Sequence, residues 1–151
     1  MPYFICPNCK ERSIDIDGKE GFTDQTSQCR HCGFGFLFEL LDDYYPAPAT
    51  GLLACDKEGR VLSAGRGVFE LTGYEERSLL GQDVTEALAL DGFEDGKNPA
   101  RIATEWGVRR LGEKLVLRTR AGIEKAVTVD FFPAYDADGG LLVAVTPRAG
   151  D

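Results

Sequence analysis

A single histidine, a single tryptophan and a single methionine are all that the 151 residues hold of those types. With His31 as the only imidazole, no Ser/His/Asp or Cys/His catalytic set can be assembled away from it. No apolar run approaches the roughly 20 residues of a membrane-spanning helix. The start, Met1-Pro-Tyr-Phe-Ile-Cys6, has neither a basic region nor a long apolar core, so it does not read as a secretory signal. A basic footprint is missing too. The net charge of −8 divides as −2 over residues 1–40, −2 over 41–49 and −4 over 50–151. Non-specific binding to a nucleic-acid backbone is therefore disfavoured in every segment. With 43% hydrophobic and 28% charged residues, the chain has the composition of a folded protein.

What the chain does have is cysteine in pairs. Cys6-Pro-Asn-Cys9 and Cys29-Arg-His-Cys32 stand 19 residues apart, a spacing typical of a four-cysteine metal site. Each Cys-x-x-Cys turn offers two sulfurs, and two turns complete a tetrahedral thiolate shell with no position left for water. The expectation is a structural Zn2+ at Cys6, Cys9, Cys29 and Cys32. Iron in the same cage is the metal alternative, and two disulfides or a redox dithiol are the readings without metal. Thiolate ligands need a reducing compartment, which points to the cytoplasm. His31 reads as an exposed residue at the tip of the second turn, since four thiolates already close the shell.

Between the pairs, Ser13 to Asp17 alternates as a strand, Asp17 to Gly21 supplies a turn, and Phe22 to Gln28 returns. Phe34, Phe36, Phe38 and Leu40 alternate as a third strand. These residues resemble a zinc ribbon over 1–41. A segment of about forty residues cannot bury enough apolar surface to fold alone, so the metal would supply the missing stability. Residues 42–50, with Pro46 and Pro48, read as a stiff linker in which Tyr44 and Tyr45 are candidate contacts.

From 51 to 147 the pattern changes. Leu52–Cys55, the turn Asp56–Gly59 and Val61–Ala64 read as a hairpin. Short helices follow at 66–72, ended by Gly73, and at 75–80, closed by Gly81. Leu90 to Asn98 is a polar loop. Asn98-Pro99 opens a helix expected to run to about Leu111, with Ile102 and Trp106 on one face and Gly112 as its stop. Three strands close the chain, at 114–120, 123–134 and 141–146. Two strands, several helices and three strands, with Asp56-Lys-Glu-Gly-Arg-Val61, Val68-Phe-Glu-Leu-Thr-Gly-Tyr74 and Ser78-Leu-Leu-Gly81, resemble a PAS domain. The resemblance implies a five-stranded antiparallel sheet with helices on one face, often around a small-molecule pocket. One position departs from the family: Gly65 stands where an asparagine often opens the first helix. The fold class overall is α+β.

The resemblance implies signal sensing, so each cofactor meets this sequence in turn. The long helix carries no histidine, so histidine-ligated haem is not expected. The stretch Ala64-Gly-Arg-Gly-Val-Phe69 lacks the reactive cysteine of the family's flavin photosensors, so no covalent flavin is expected. Cys55 reads as a small buried hydrophobe. Trp106, Phe69 and Phe131 read as core residues, and Arg118 and Arg120 as a solvated strand face. Carboxylate pairs such as Glu75-Glu76 are ordinary surface charge, and Gly65-Arg-Gly67 lacks a phosphate-binding pattern. Catalysis is not expected. The ligand-binding residues stay unassigned. The last strand stands close to the end of the chain, so output is expected in trans, through a protein partner or a homodimer. The alternatives are a nucleic-acid or transcription-machinery accessory protein built on the ribbon, and a thiol-based redox sensor.

Overall fold

The computed structural model describes residues 3–5, 12–13, 38–40, 49–65, 67–94, 96–133 and 140–148. Near the N-terminus, β1 (Tyr3–Ile5), β2 (Arg12–Ser13) and β3 (Phe38–Leu40) form an antiparallel sheet in the order β2-β1-β3. Tyr3 pairs with Leu40, and Phe4 faces both Ser13 and Glu39. The central strand is one that sequence reasoning did not assign. Three residues are too few for alternation to register, although Tyr-Phe-Ile has high strand propensity.

The larger body is a five-stranded antiparallel sheet, in the order β5-β4-β8-β7-β6. Its strands are β4 (Gly51–Cys55), β5 (Val61–Ala64), β6 (Arg110–Arg118), β7 (Glu124–Pro133) and β8 (Leu141–Pro147). The first and last strands thus pair at the centre, with Leu53 opposite Val143. Thr50, placed in the linker by sequence, has no exposed surface, and its hydroxyl lies 2.8 Å from that of Thr146. It belongs to the folded body.

Between β5 and β6 run four helices: α1 (Val68–Thr72), α2 (Glu76–Leu79), α3 (Val84–Ala87) and α4 (Pro99–Trp106). Asn98 caps α4 as expected, its side chain accepting the Ala100 N–H at 2.9 Å. The helix ends five residues earlier than Gly112 would suggest. Gly107, at φ 66°, returns its N–H to Ala103 and stops α4 after eight residues. Gly112 instead sits in an irregularity of β6, where the register against β7 shifts between Arg110 and Glu113. The short helix α3 was not anticipated. Its signal was present: Asp83 accepts the N–H groups of Thr85 and Glu86, three residues before the latter carboxylate.

The face of the sheet toward the helices carries Leu53, Cys55, Leu115, Leu117, Val127, Val129, Phe131, Leu141, Val143 and Val145, all buried against Val68, Leu79, Val84, Leu88 and Ala103. The second face is closed as well, since Leu52, Ala54, Phe132, Leu142 and Ala144 have no exposed surface. Gly51 is closely packed: a Cβ there would lie 3.1 Å from both the Val68 amide nitrogen and its Cγ2, so α1 would have to give way. Two connections tie loops to strands β5 and β6. Val61 exchanges backbone bonds with Gln82 and Gly81, and Asp91 exchanges two with Val116. Among the described residues no helix is long and apolar enough to cross a membrane.

The irregularity in β6 is held by a carboxylate, with Asp130 Oδ1 accepting the Gly112 N–H at 2.7 Å. Burial pushes the Asp130 carboxyl above its ordinary value of 3.8, against the pull of the Gly112 N–H and the Arg109 guanidinium. A carboxyl raised in this way holds its proton better folded than unfolded. It therefore favours folding below its folded pKa and works against folding above it. Asp130→Asn is expected to remove this dependence. As pH falls from neutrality through the folded pKa toward 3.8, the wild type should gain stability relative to the variant. Urea midpoints of both proteins across that window measure it, and a relative loss for the wild type would contradict the assignment.

Candidate functional site

The interior between sheet and helices is where a pocket is expected, and here it is filled by the chain's own side chains. Seven of the largest, Phe131, Leu53, Leu79, Leu88, Leu115, Leu117 and Leu141, have less than 2% of their surface exposed. Its buried polar groups are mostly satisfied locally. The Thr72 hydroxyl donates to the Val68 carbonyl and accepts the Tyr74 N–H, while the Thr119 hydroxyl accepts the Ile123 N–H. Ser63 differs. It is 6% exposed and its hydroxyl has no hydrogen-bond partner among the described residues, but the register shift in β5 sets it opposite Ala54, on the face of the sheet away from the helices. An unsatisfied buried hydroxyl costs about 1–3 kcal/mol, and at Ser63 that cost falls outside the interior between sheet and helices.

Cys55 lies on β4 at 1% exposure, buried as expected. Burial in apolar surroundings, reinforced by the charges of Asp56 and Asp83, raises its thiol far above the ordinary range and makes it unreactive. Phe131 is a core residue, as read from sequence. Phe69 and Trp106 are not. Phe69 is 54% exposed because α1 turns Val68, Leu71 and Thr72 inward. Trp106, at 75% exposure, closes α4 on the side away from Ala100 and Ala103. An indole in that position reports on water and not on the interior. Arg118 is exposed on β6, as a solvated strand face requires, whereas Arg120 is exposed beyond the strand, in the β6–β7 turn.

Among the described residues, two concavities on the surface stand out. The larger, of about 670 Å³, lies between the β4–β5 turn and α4. Several of its charges are already engaged: Arg60 faces Glu58 at 3.8 Å and Arg101 faces Glu105 at 3.5 Å, while Asp83 caps α3. The smaller, of about 440 Å³, lies between α1 and the β6–β7 turn and is more apolar.

The four cysteines of the expected metal site, Cys6, Cys9, Cys29 and Cys32, and His31 lie outside the described residues. Cys6 and Cys9 fall in the chain between β1 and β2, and Cys32 precedes β3 by six residues. Among the described residues no cluster of His, Cys, Asp or Glu could hold a metal ion.

No family model and no curated protein matches the chain. Solved structures do. A PAS domain from Colwellia psychrerythraea superposes with a TM-score of 0.55 at 16% identity, over 68% of this chain and 89% of the other. The fungal blue-light photoreceptor Vivid gives 0.56 at 15% identity, over 72% and 83%. A domain of a sensory box sensor histidine kinase/response regulator from Geobacter sulfurreducens gives 0.52 at 23% identity, over 66% and 84%. Strand order, the helical crossover and these superpositions agree: the larger body of this chain has the PAS-domain fold.

Proposed function

We propose that the protein is a cytoplasmic regulatory sensor or adaptor, in which the PAS body binds a small ligand or a protein partner and acts in trans. The observation that carries this reading is the sheet order β5-β4-β8-β7-β6 with all four helices between β5 and β6. Proteins of that fold similar to this chain include a photoreceptor, a sensor kinase domain and a nitrogen regulation protein from Vibrio parahaemolyticus.

The segment 1–41 is proposed as a docking module held by one Zn2+ at Cys6, Cys9, Cys29 and Cys32. The donor set fits the ion: four thiolates close a tetrahedral shell and leave no catalytic position open. In this reading the metal supplies folding stability and no chemistry. A homodimer is the proposed assembly. A second reading keeps the same thiolates but makes them the sensor, with oxidation releasing the metal. The charge of −8 argues against a nucleic-acid accessory role.

The test is to purify the tagged full chain from reduced native extract at about 0.1 M and about 0.5 M salt. A stoichiometric protein partner retained at both salts supports the adaptor. Nucleic acid retained only at the lower salt would replace it with the accessory reading. Loss of the partner together with zinc on mild peroxide, with no response to small-molecule fractions, would favour the thiol sensor.

A further inference from the structure

We propose that the notch between α1 and the β6–β7 turn docks a segment of a partner protein carrying one apolar side chain beside a carboxylate. The inference rests on the adaptor reading and names where the partner would bind. Phe69, 54% exposed, stands on one side of the notch and Ile123, 59% exposed, on the other. The floor is Leu71, Thr72 and Gly73 against Thr119 and Ala121. Exposed apolar carbon on both walls of one concavity is what an anchoring side chain fills.

The walls are fixed before anything binds. The Arg120 N–H donates to the Thr72 carbonyl at 2.9 Å, and the Gly122 N–H to the Thr119 carbonyl at 2.9 Å. Lys125 Nζ donates to the Leu71 carbonyl at 2.9 Å, a bond between residues 54 apart in sequence. A Cβ on Gly73 would already lie 3.4 Å from the Arg120 Cβ, so the two sides are in close approach. Binding would order little that is not ordered already, which favours affinity.

Charge decides what kind of segment fits. Arg120 is exposed and makes no ion pair among the described residues. Lys125 places a second cation on the same notch. The one acidic residue lining it, Glu70, turns its carboxylate back to accept the Gly67 N–H at 3.1 Å. On a chain of net charge −8 this is a local cationic rim around apolar carbon, complementary to a carboxylate. A concave site with two cations suits a peptide better than a lipid surface, which is read by clusters of about four to eight.

The probes are fluorescent ten-residue Gly/Ser peptides with Phe or Leu followed by two Asp. Control peptides carry Lys for Asp, or Ser for the apolar residue. Full-length wild type is expected to bind the apolar-acidic peptides in preference to both controls. Arg120→Glu and Ile123→Ser should each weaken that binding about fivefold or more, while Leu111→Ser, which alters an exposed apolar residue elsewhere, leaves it unchanged. No binding above the controls, equal binding of the Lys peptides, or indifference to both notch variants overturns the proposal. So does a homodimer that Ile123→Ser dissociates, since a second copy would then occupy the notch. So does binding to phosphatidylserine vesicles that Arg120→Glu abolishes. The partner purification separates the two levels. A partner retained equally by wild type and both notch variants overturns the notch and leaves the adaptor standing. Absence of any partner, with the peptide pattern intact, overturns the adaptor and leaves the notch.

Discussion

Replacing Phe131 with alanine is expected to remove about 3–5 kcal/mol of folding stability. The ring has no exposed surface and sits on β7 with a strand on either side, paired to Arg110 of β6 and Val143 of β8. Truncation there loses the transfer of the ring from water and leaves a void that a sheet held on both flanks cannot close. Against a typical total of about 5–15 kcal/mol, the loss would bring the body near its unfolding midpoint at modest temperature. Phe131→Leu, which keeps most of the volume, should cost about 1.5 kcal/mol or less. Phe69→Ala should change stability by no more than about 0.5 kcal/mol, because that ring is already 54% in water. Urea denaturation of the three variants measures the series. Equal losses for the two alanine variants would contradict the assignment of which phenylalanine is core.

Zinc is expected at one ion per chain in freshly reduced protein, and Cys29→Ser should abolish it. Binding in comparable four-ligand sites is worth on the order of 10–16 kcal/mol at neutral pH. That exceeds what about forty residues can gain from their own apolar burial, so loss of one thiolate should cost residues 1–41 their folded state. The core of the PAS body shares no ligand with that site, since Cys55 is far too buried and too weakly acidic to substitute. Its cooperative thermal transition should therefore persist in the variant. Elemental analysis with hydrogen exchange over both regions is the measurement. Iron in place of zinc would change the metal and keep the shell. No metal at all in reduced protein would remove the zinc-ribbon assignment.

Strands β4 and β8 are buried along most of their length and read as short apolar runs, while β6 and β7 could be read from sequence because each alternates long enough to choose a face. Leu115, Leu117 and Thr119 do so on one strand, and Val127, Val129 and Phe131 on the next. Their burial follows that alternation. The short helices gave less. Five residues make little more than one turn, so Val68, Phe69, Leu71 and Thr72 fit a helix without revealing which of them points outward. Gly107 and Gly112 are equally plausible helix stops on paper. What separates them is a tertiary fact, the Asp130 carboxylate that recruits Gly112 into a strand irregularity. Ser63 and the notch were beyond reach for the same reason. One needs the absence of a partner in three dimensions, and the other needs residues 69–73 to meet residues 119–125.

A five-stranded open sheet must end somewhere, and both outermost strands of this one are poor templates for a foreign chain. On β5, Gln82, Gly81 and the Glu76 carboxylate already occupy outward backbone groups of Val61 and Ala64. Asp91 does the same for Val116 on β6, which is kinked near its start at Gly112 and whose exposed residues include Arg110, Lys114 and Arg118. Unpaired edges of long, flat, apolar strands nucleate aggregation, and kinks, charges and short covered strands suppress it. The carboxylate that holds the β6 kink thus protects solubility as well as shape.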